Sequence, residues 1–186
     1  MTDKLRHQIV AHLPRLRRFA YALTGDADSA DDLVQETCAR ALSRLDQWRP
    51  GTRLDSWMFR IAQNIWIDRV RSRKIRGVVV DLDSVRDMAG DDGRQIVENR
   101  LALNKLAEGV ARLPPDQRVL IALVCVDGLS YKEAADVLEV PIGTVMSRLA
   151  RARRALYEFT NGAAASPAPP TEAAVIKLAS RKGRPD

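Results

Sequence analysis

Only two cysteines occur in 186 residues, Cys38 and Cys125, far apart and outside any CxxC pair. That spacing excludes a disulfide framework and argues against a zinc site, so the thiols read as small buried side chains. The two histidines, His7 and His12, have no cysteine nearby and read as surface or core residues; no metal site is expected. No apolar run approaches the roughly 18 residues of a membrane span. The first stretch, MTDKLRHQIVAHLPRLRRFAYAL, is charged throughout, unlike the unbroken apolar segment of a signal peptide. The expectation is therefore no membrane insertion and a cytoplasmic location. Paired carboxylates, a nucleophile constellation and a phosphate-binding loop are missing as well, so no catalytic residue, no cofactor and no enzyme activity are expected. Aromatic residues make up just 5%, yet Trp48, Trp57 and Trp66 fall within one short stretch.

Hydrophobic content of 46% beside charged content of 29% describes a globular chain. The formal net charge of +6 favours a polyanionic partner. Helical periodicity dominates, with no run of strand alternation, so the expected class is all-α. A first helix is predicted over Leu5 to Leu23, stopping at Gly25 and kinked by Pro14. A second is expected from an N-cap at Ser29, with Asp32 three residues on, to about Leu45. After Trp48 comes the turn Arg49-Pro50-Gly51-Thr52, then a long helix from about Leu54 to Lys74. These three helices define a first domain, residues 1–75.

Composition then changes. GVVVDLDSVRDMAGDDGRQIVE holds six acids against Arg86 and Arg94, and reads as an acidic linker over residues 76–95, with a short apolar anchor at Val78 to Val80. A second helical domain is expected over 96–160. Ile96 to Leu113 is amphipathic and ends at Pro114-Pro115; Asp116 to Asp127 is strongly apolar and closed by Gly128. Ser130-Tyr131-Lys132-Glu133 has the spacing of a capping box and opens a short helix to about Leu138. Residues 161–186, GAAASPAPPTEAAVIKLASRKGRPD after Asn161, read as a flexible Ala/Pro-rich basic tail.

Between those last features lies PIGTVMSRLARARRAL, residues 141–156, with four arginines and no acid. At about 100° per residue, Val145, Leu149, Ala152 and Leu156 share one face, and Ser147, Ala150, Arg151 and Arg154 lie opposite. Arg148 and Arg153 flank the apolar stripe. A short capped helix, a tight turn and this helix together form a helix-turn-helix suited to the major groove. Outward groups would reach base edges and flanking arginines would pair with phosphates. A merely solvated basic face is the alternative, although such faces usually mix both signs.

The stretch SADDLVQETCARAL, residues 29–42, places Ala30, Val34, Thr37 and Ala41 inward and Asp32, Gln35, Glu36 and Ala39 outward. Alone, this acidic patch reads as a solvated face. In order, DDLVQET, QWRPGTRLDSWMFRIAQNIWIDRVRSRK and LPPDQRVLIALVCVDGLSYKEAADVLEVPIGTVMSRLARARRAL closely resemble a bacterial RNA polymerase sigma factor of the extracytoplasmic-function (ECF) type, in the sigma-70 family. The resemblance covers about residues 5–75 and 96–158. It implies two domains, region two and region four, joined by the linker, and a dissociable, stress-responsive promoter-specificity subunit.

The resemblance further implies partners: core RNA polymerase, promoter DNA and an anti-sigma factor. It assigns Asp31, Asp32, Gln35 and Glu36 to core-polymerase contact. It assigns −10 recognition and melting to Trp48, Arg53, Trp57, Arg60, Asn64, Arg71 and Lys74, with the loop Trp48 to Arg53 as the pocket for a flipped base. Unpaired bases stack on aromatics while basic groups hold the backbone, but Trp57 and Trp66 read as core residues before base-stacking ones. For the −35 element it assigns Thr144, Met146, Ser147, Arg148, Ala150, Arg151, Arg153 and Arg154. Met146 and Ala150 depart from the long polar and aromatic residues frequent there in relatives. The acidic linker is expected to run along basic channels of the polymerase. The tail from Gly162 lies outside the resemblance, and an unstructured segment, a regulatory handle and an extra DNA contact through Lys177, Arg181, Lys182 and Arg184 all stay open for it. Two other readings compete: a conventional helix-turn-helix regulator with a sensor domain, against which DDLVQE and the tryptophan-rich helix speak, and a sigma mimic that sequesters an anti-sigma factor, which would not need an arginine-rich recognition helix.

Overall fold

A computed structural model describes residues 2–75 and 94–162, with side chains described over 5–75 and 101–162. The described residues form seven α-helices, with no strand among them. Helix α1 (Thr2–Thr24) runs through Pro14 without ending there and stops at Gly25, whose φ of +85° continues no helix. Helix α2 (Ala27–Ser43) starts earlier than its sequence suggests. Its N-cap is Asp26, whose carboxylate accepts the Ser29 N–H at 2.7 Å, rather than Ser29 itself. A carboxylate at the helix start also meets the positive end of the macrodipole, so the aspartate is the stronger cap available locally. A 3₁₀ turn, Leu45–Gln47, leads to the loop before α3 (Leu54–Ile75).

These three helices pack on one another around Leu16, Phe19, Leu33, Met58 and Phe59. The Phe19 and Phe59 rings meet with centroids 5.0 Å apart, tilted by 56°. Burying each such ring stabilises the unit by about 1.5–3 kcal/mol. Thr37, fully buried on α2, satisfies its hydroxyl by donating to the Leu33 carbonyl at 2.7 Å.

The second unit consists of α4 (Arg94–Arg112), α5 (Pro115–Ile121), α6 (Tyr131–Leu138) and α7 (Ile142–Asn161). The apolar stretch after Pro115 does not stay α-helical to Asp127. It changes at Ala122 into a π turn, Ala122–Val126, closed by the Asp127 N–H donating to the Ala122 carbonyl. The extra residue in that turn rotates Asp127 away from the register a continuous α-helix would give it. Gly128 then adopts φ +79°, as its place at the helix end requires. The Ser130–Glu133 capping box forms in both directions. Gly109 lets α4 approach α7: a Cβ there would stand 2.9 Å from the Phe159 ring.

The two units also pack on each other. Helix α1 touches the π turn and α5, and α3 touches α6 and α5, so a single hydrophobic core runs through both. Residues 76–93 and 163–186, which hold most of the expected acidic linker and tail, lie outside the described residues; the first turn of α4 begins within the last two residues assigned to that linker.

Candidate nucleic-acid interface

Helices α6 and α7, joined by a tight turn over residues 139–141, form the helix-turn-helix. In α7, Val145, Leu149 and Ala152 are buried and Leu156 half-buried, the face set by the apolar repeat. Met146, Ser147, Ala150, Arg151 and Arg154 are exposed, while Thr144, Arg148 and Arg153 are half-buried. The arginines are not alike. Arg148 reaches back to Asp116 on α5 at 3.1 Å, and Arg154 pairs with Glu158 one turn on at 2.8 Å. The acid-free appearance of residues 141–156 thus ends at its own boundary, with acids supplied from α5 and from the next turn. Arg153 donates to the Tyr131 hydroxyl at 3.1 Å and braces α6 against α7. Arg151 has no acid partner among the described residues; its Nε donates only to the Ser147 carbonyl, at 3.3 Å. Ser147, Ala150 and Arg151 therefore make an open face of two small side chains and one uncommitted fork of donors, which fits close approach to a base edge.

The residues assigned to the −10 element divide into two groups. Asn64, Arg71 and Lys74 are exposed along the outer part of α3, with Arg71 4.0 Å from Asp68. Trp48 and Trp57 are half-buried, and Trp48 holds a buried ring N–H with no partner. Trp66 is core, 6% exposed, with the Arg118 guanidinium 5.6 Å above its ring. Arg53 and Arg60, by contrast, face the other unit. Arg53 forks onto Asp55 at 3.1 and 2.7 Å and pairs with Glu133 of α6. Arg60 donates to the Asp136 and Val137 carbonyls, at 2.7 and 3.1 Å, and pairs with Glu139 at 2.5 Å. Those carbonyls end α6, where the macrodipole favours a cation.

On α2, Asp32 and Gln35 are exposed and have no side-chain partner among the described residues. Asp31 pairs with Arg17 of α1 at 2.7 Å. Glu36 does not point freely outward as the helical wheel suggests. It is half-buried and bridges Arg40 at 2.7 Å and Arg69 of α3 at 2.6 Å, a clamp between two helices.

A charged cluster that the sequence does not announce lies where the units meet. The Arg15 Nη1 donates to Asp55 at 2.7 Å, and its Nε and Nη2 donate to Asp127 at 3.1 and 2.5 Å. The Asp127 side chain is wholly buried and that of Asp55 is 7% exposed. Burial pushes the Asp55 carboxyl up, but hydrogen bonds from Arg53, the Ser56 N–H and Arg15 outweigh it and hold the group well below the usual carboxylate range. Arg118, whose affinity for its proton is lowered by burial, donates to the Val110 and Ala111 carbonyls at the end of α4 and, at 2.9 Å, to the Leu23 carbonyl at the end of α1. A guanidinium remains charged in such a site and closes helix ends that would otherwise leave carbonyls unpaired. The one sequence signal for this cluster is Asp127 itself, a lone acid ending the apolar run IALVCVD.

Three helices with an exposed acidic-polar face, followed by a helix-turn-helix with an open arginine face, define a helical DNA-binding protein of two units. The sigma-70 region 2 family model matches residues 9–75, and the sigma-70 region 4 model matches residues 103–156. The chain is 39% identical over 160 residues to the ECF RNA polymerase sigma factor EcfG of Rhodopseudomonas palustris, covering 84% of each. It is 30% identical over 156 residues to SigW of Bacillus subtilis, covering 76% of this chain and 81% of SigW. Its fold is similar to the sigma factor RpoE of Bartonella quintana, solved in complex with the anti-sigma factor NepR. There the TM-score is 0.71 and the identity 32%, covering 84% of this chain and 96% of RpoE. The chain belongs to the ECF RNA polymerase sigma factors of the sigma-70 family. It is an alternative sigma factor directing transcription initiation. Among the described residues no helix is long and apolar enough to cross a membrane.

Proposed function

We propose a division of labour between three surfaces. Residues 1–75 bind core RNA polymerase through the exposed Asp32 and Gln35 of α2, with Asp31 and Glu36 beside them. The same unit captures and holds the −10 strand through Arg53, Trp57, Arg60, Asn64, Arg71 and Lys74, with Trp48 lining the loop. Residues 96–160 read −35 duplex through α7. Ser147, Ala150 and Arg151 face base edges; Thr144, Met146, Arg148, Arg153 and Arg154 surround them and hold phosphates. Residues 76–95 connect the two units within the polymerase. The chain acts in the cytoplasm, performs no chemistry of its own, and is kept inactive by an anti-sigma factor, as RpoE is found with NepR.

The observation that carries this reading is the open face of α7, where Arg151 is exposed without an acid partner among the described residues while Arg148, Arg153 and Arg154 are each held by a neighbour. A protein that merely sequestered an inhibitor would have no use for that uncommitted fork. Run-off transcription with purified core polymerase over a promoter library tests it. Start-site selection that depends on added chain and on −35 sequence is the expected result; selection indifferent to −35 sequence would overturn it.

A further inference from the structure

The apolar stripe of α4 runs on past its cover. Leu103, Leu106, Val110 and Leu113 recur at spacings of three and four, so at about 100° per residue they share one side of the helix. Leu113 is buried and Val110 packs against the core. Leu106 and Leu103, further out on the same line, are 42% and 65% exposed. Every residue from Leu101 to Ala107 is exposed, so nothing among the described residues covers this end of the stripe. Leu101 lies on the opposite side of the helix and stands alone, as single surface leucines commonly do. A stripe that leaves the core in register and continues outward is a helix face shaped for a partner.

Helix α7 brings a candidate partner to that face. It packs antiparallel to α4: the Lys105 ammonium donates to the Thr160 carbonyl at 2.7 Å, and a Cβ at Gly109, one turn on, would meet Leu156 and Phe159. The end of α7 therefore lies beside Lys105 and points toward the start of α4, the direction in which Leu106 and Leu103 stand uncovered. After Gly162 the sequence holds one apolar cluster, Ala173, Ala174, Val175, Ile176, Leu178 and Ala179. The connection 163–172, AAASPAPPTE, spans about 30 Å at about 3.1 Å per residue, whereas Leu103 is within one helical turn of Lys105. Reach is ample, and a tether of this length holds the cluster at an effective concentration on the order of millimolar, so a small apolar contact suffices. We propose that residues 173–179 dock on the Leu103–Leu106 face of α4, so that the end of the chain straps the first helix of the second unit. The strap uses none of Ser147, Ala150 and Arg151, and it leaves the open face of α7 available.

Hydrogen exchange read by mass spectrometry on the full chain tests the contact from both sides, with circular dichroism as the check on folding. In the unmodified chain the amides of 173–179 should exchange about tenfold more slowly than in a free peptide of the same sequence. Leu103→Gln with Leu106→Gln, which keeps two helix-forming side chains, should bring them to the free-peptide rate. Reciprocally, Val175→Asp with Leu178→Asp should speed exchange over Leu101 to Ala107 by a similar factor. That second pair lies outside the folded helices described above, so it reads the contact even where the α4 pair unsettles its own helix. Free-peptide exchange of 173–179 in the unmodified chain would overturn the strap. So would protection there that ignores the α4 pair, because the segment would then dock elsewhere. Protection of Leu101 to Ala107 that follows protein concentration and not the tail would also overturn it and assign the stripe to a second copy of the chain.

Discussion

Arg15 and Asp127 are 112 positions apart in sequence, yet Nη2 of the one lies 2.5 Å from Oδ2 of the other. The same guanidinium holds Asp55 at 2.7 Å, so one side chain ties α1 to the start of α3 and to the π turn. Asp55 keeps Arg53 and the Ser56 N–H if Arg15 is lost, but among the described residues the Asp127 carboxylate is held by the nitrogens of Arg15 alone.

Arg15→Ala therefore strands a buried carboxylate, and should destabilise the folded chain by about 3 kcal/mol, the low end for breaking a buried pair because Arg15 is itself 31% exposed. Arg15→Lys should recover less than half of that. A single ammonium cannot span two carboxylates as a planar fork does. Urea unfolding of the two variants measures both values; equal stability of Arg15→Ala and the unmodified chain would contradict the assignment.

Asp55 predicts a pH dependence with a definite sign. Its folded carboxyl is held well below the ordinary value, so it favours folding above the unfolded carboxylate range, about pH 4, and loses that contribution as pH falls toward the folded value. The stability gap between the unmodified chain and Asp55→Asn should be full near neutrality and shrink progressively below about pH 4. Denaturant titrations at a series of acid pH values read the gap directly. A gap that widens on acidification would mean that burial, not Arg53 and Arg15, governs the group.

Most of the fold is legible in the residues. Helical spacing gives the apolar face of α7, the Ser130 capping box and the extent of α3, because each rests on local periodicity or a local hydrogen bond. What is not legible is set by tertiary contact. The α2 cap is an exception, since Asp26 and Ser29 are both acceptable caps and the local bond from the Ser29 N–H to the Asp26 carboxylate decides between them. The run IALVCVD looks like a plain apolar helix, whereas Asp127 needs an extra residue in the turn to meet Arg15. The candidate surfaces follow the same rule. Helical spacing marks α7 as arginine-rich, but only the neighbours Asp116, Tyr131 and Glu158 distinguish the held arginines from Arg151.

The acidic helix divides in the same manner, and Asp32 and Glu36 should respond differently to mutation. Asp32→Arg changes an exposed side chain with no partner among the described residues. It should leave thermal stability within about 0.5 kcal/mol while weakening competition for core polymerase at least about tenfold. Glu36→Gln breaks the bridge to Arg40 and Arg69, and should lower stability by about 1 kcal/mol. Pull-downs against a competing sigma factor, beside melting curves, separate the two. Undiminished competition by Asp32→Arg would remove Asp32 from the polymerase-facing surface.

Arg151 and Arg154 offer the sharpest contrast on α7, since both are exposed and one helical face carries both. Arg154 is already shared with Glu158, one turn further on. An exposed arginine whose Nε is tied to a neighbouring side chain can still meet a phosphate as a charge but not fork freely onto a base, so Arg154→Ala should weaken binding to all −35 duplexes similarly and lower the salt slope by about one. Arg151 carries an uncommitted fork next to Ser147 and Ala150, so Arg151→Ala should cost roughly 1–3 kcal/mol of discrimination at one base pair and little on duplexes already altered there. Binding of a randomised −35 duplex library by each variant, at two salt concentrations, reads both quantities at once. A flat, sequence-independent loss from Arg151→Ala would move that residue to the phosphate-holding set and leave Ser147 and Ala150 to account for base reading.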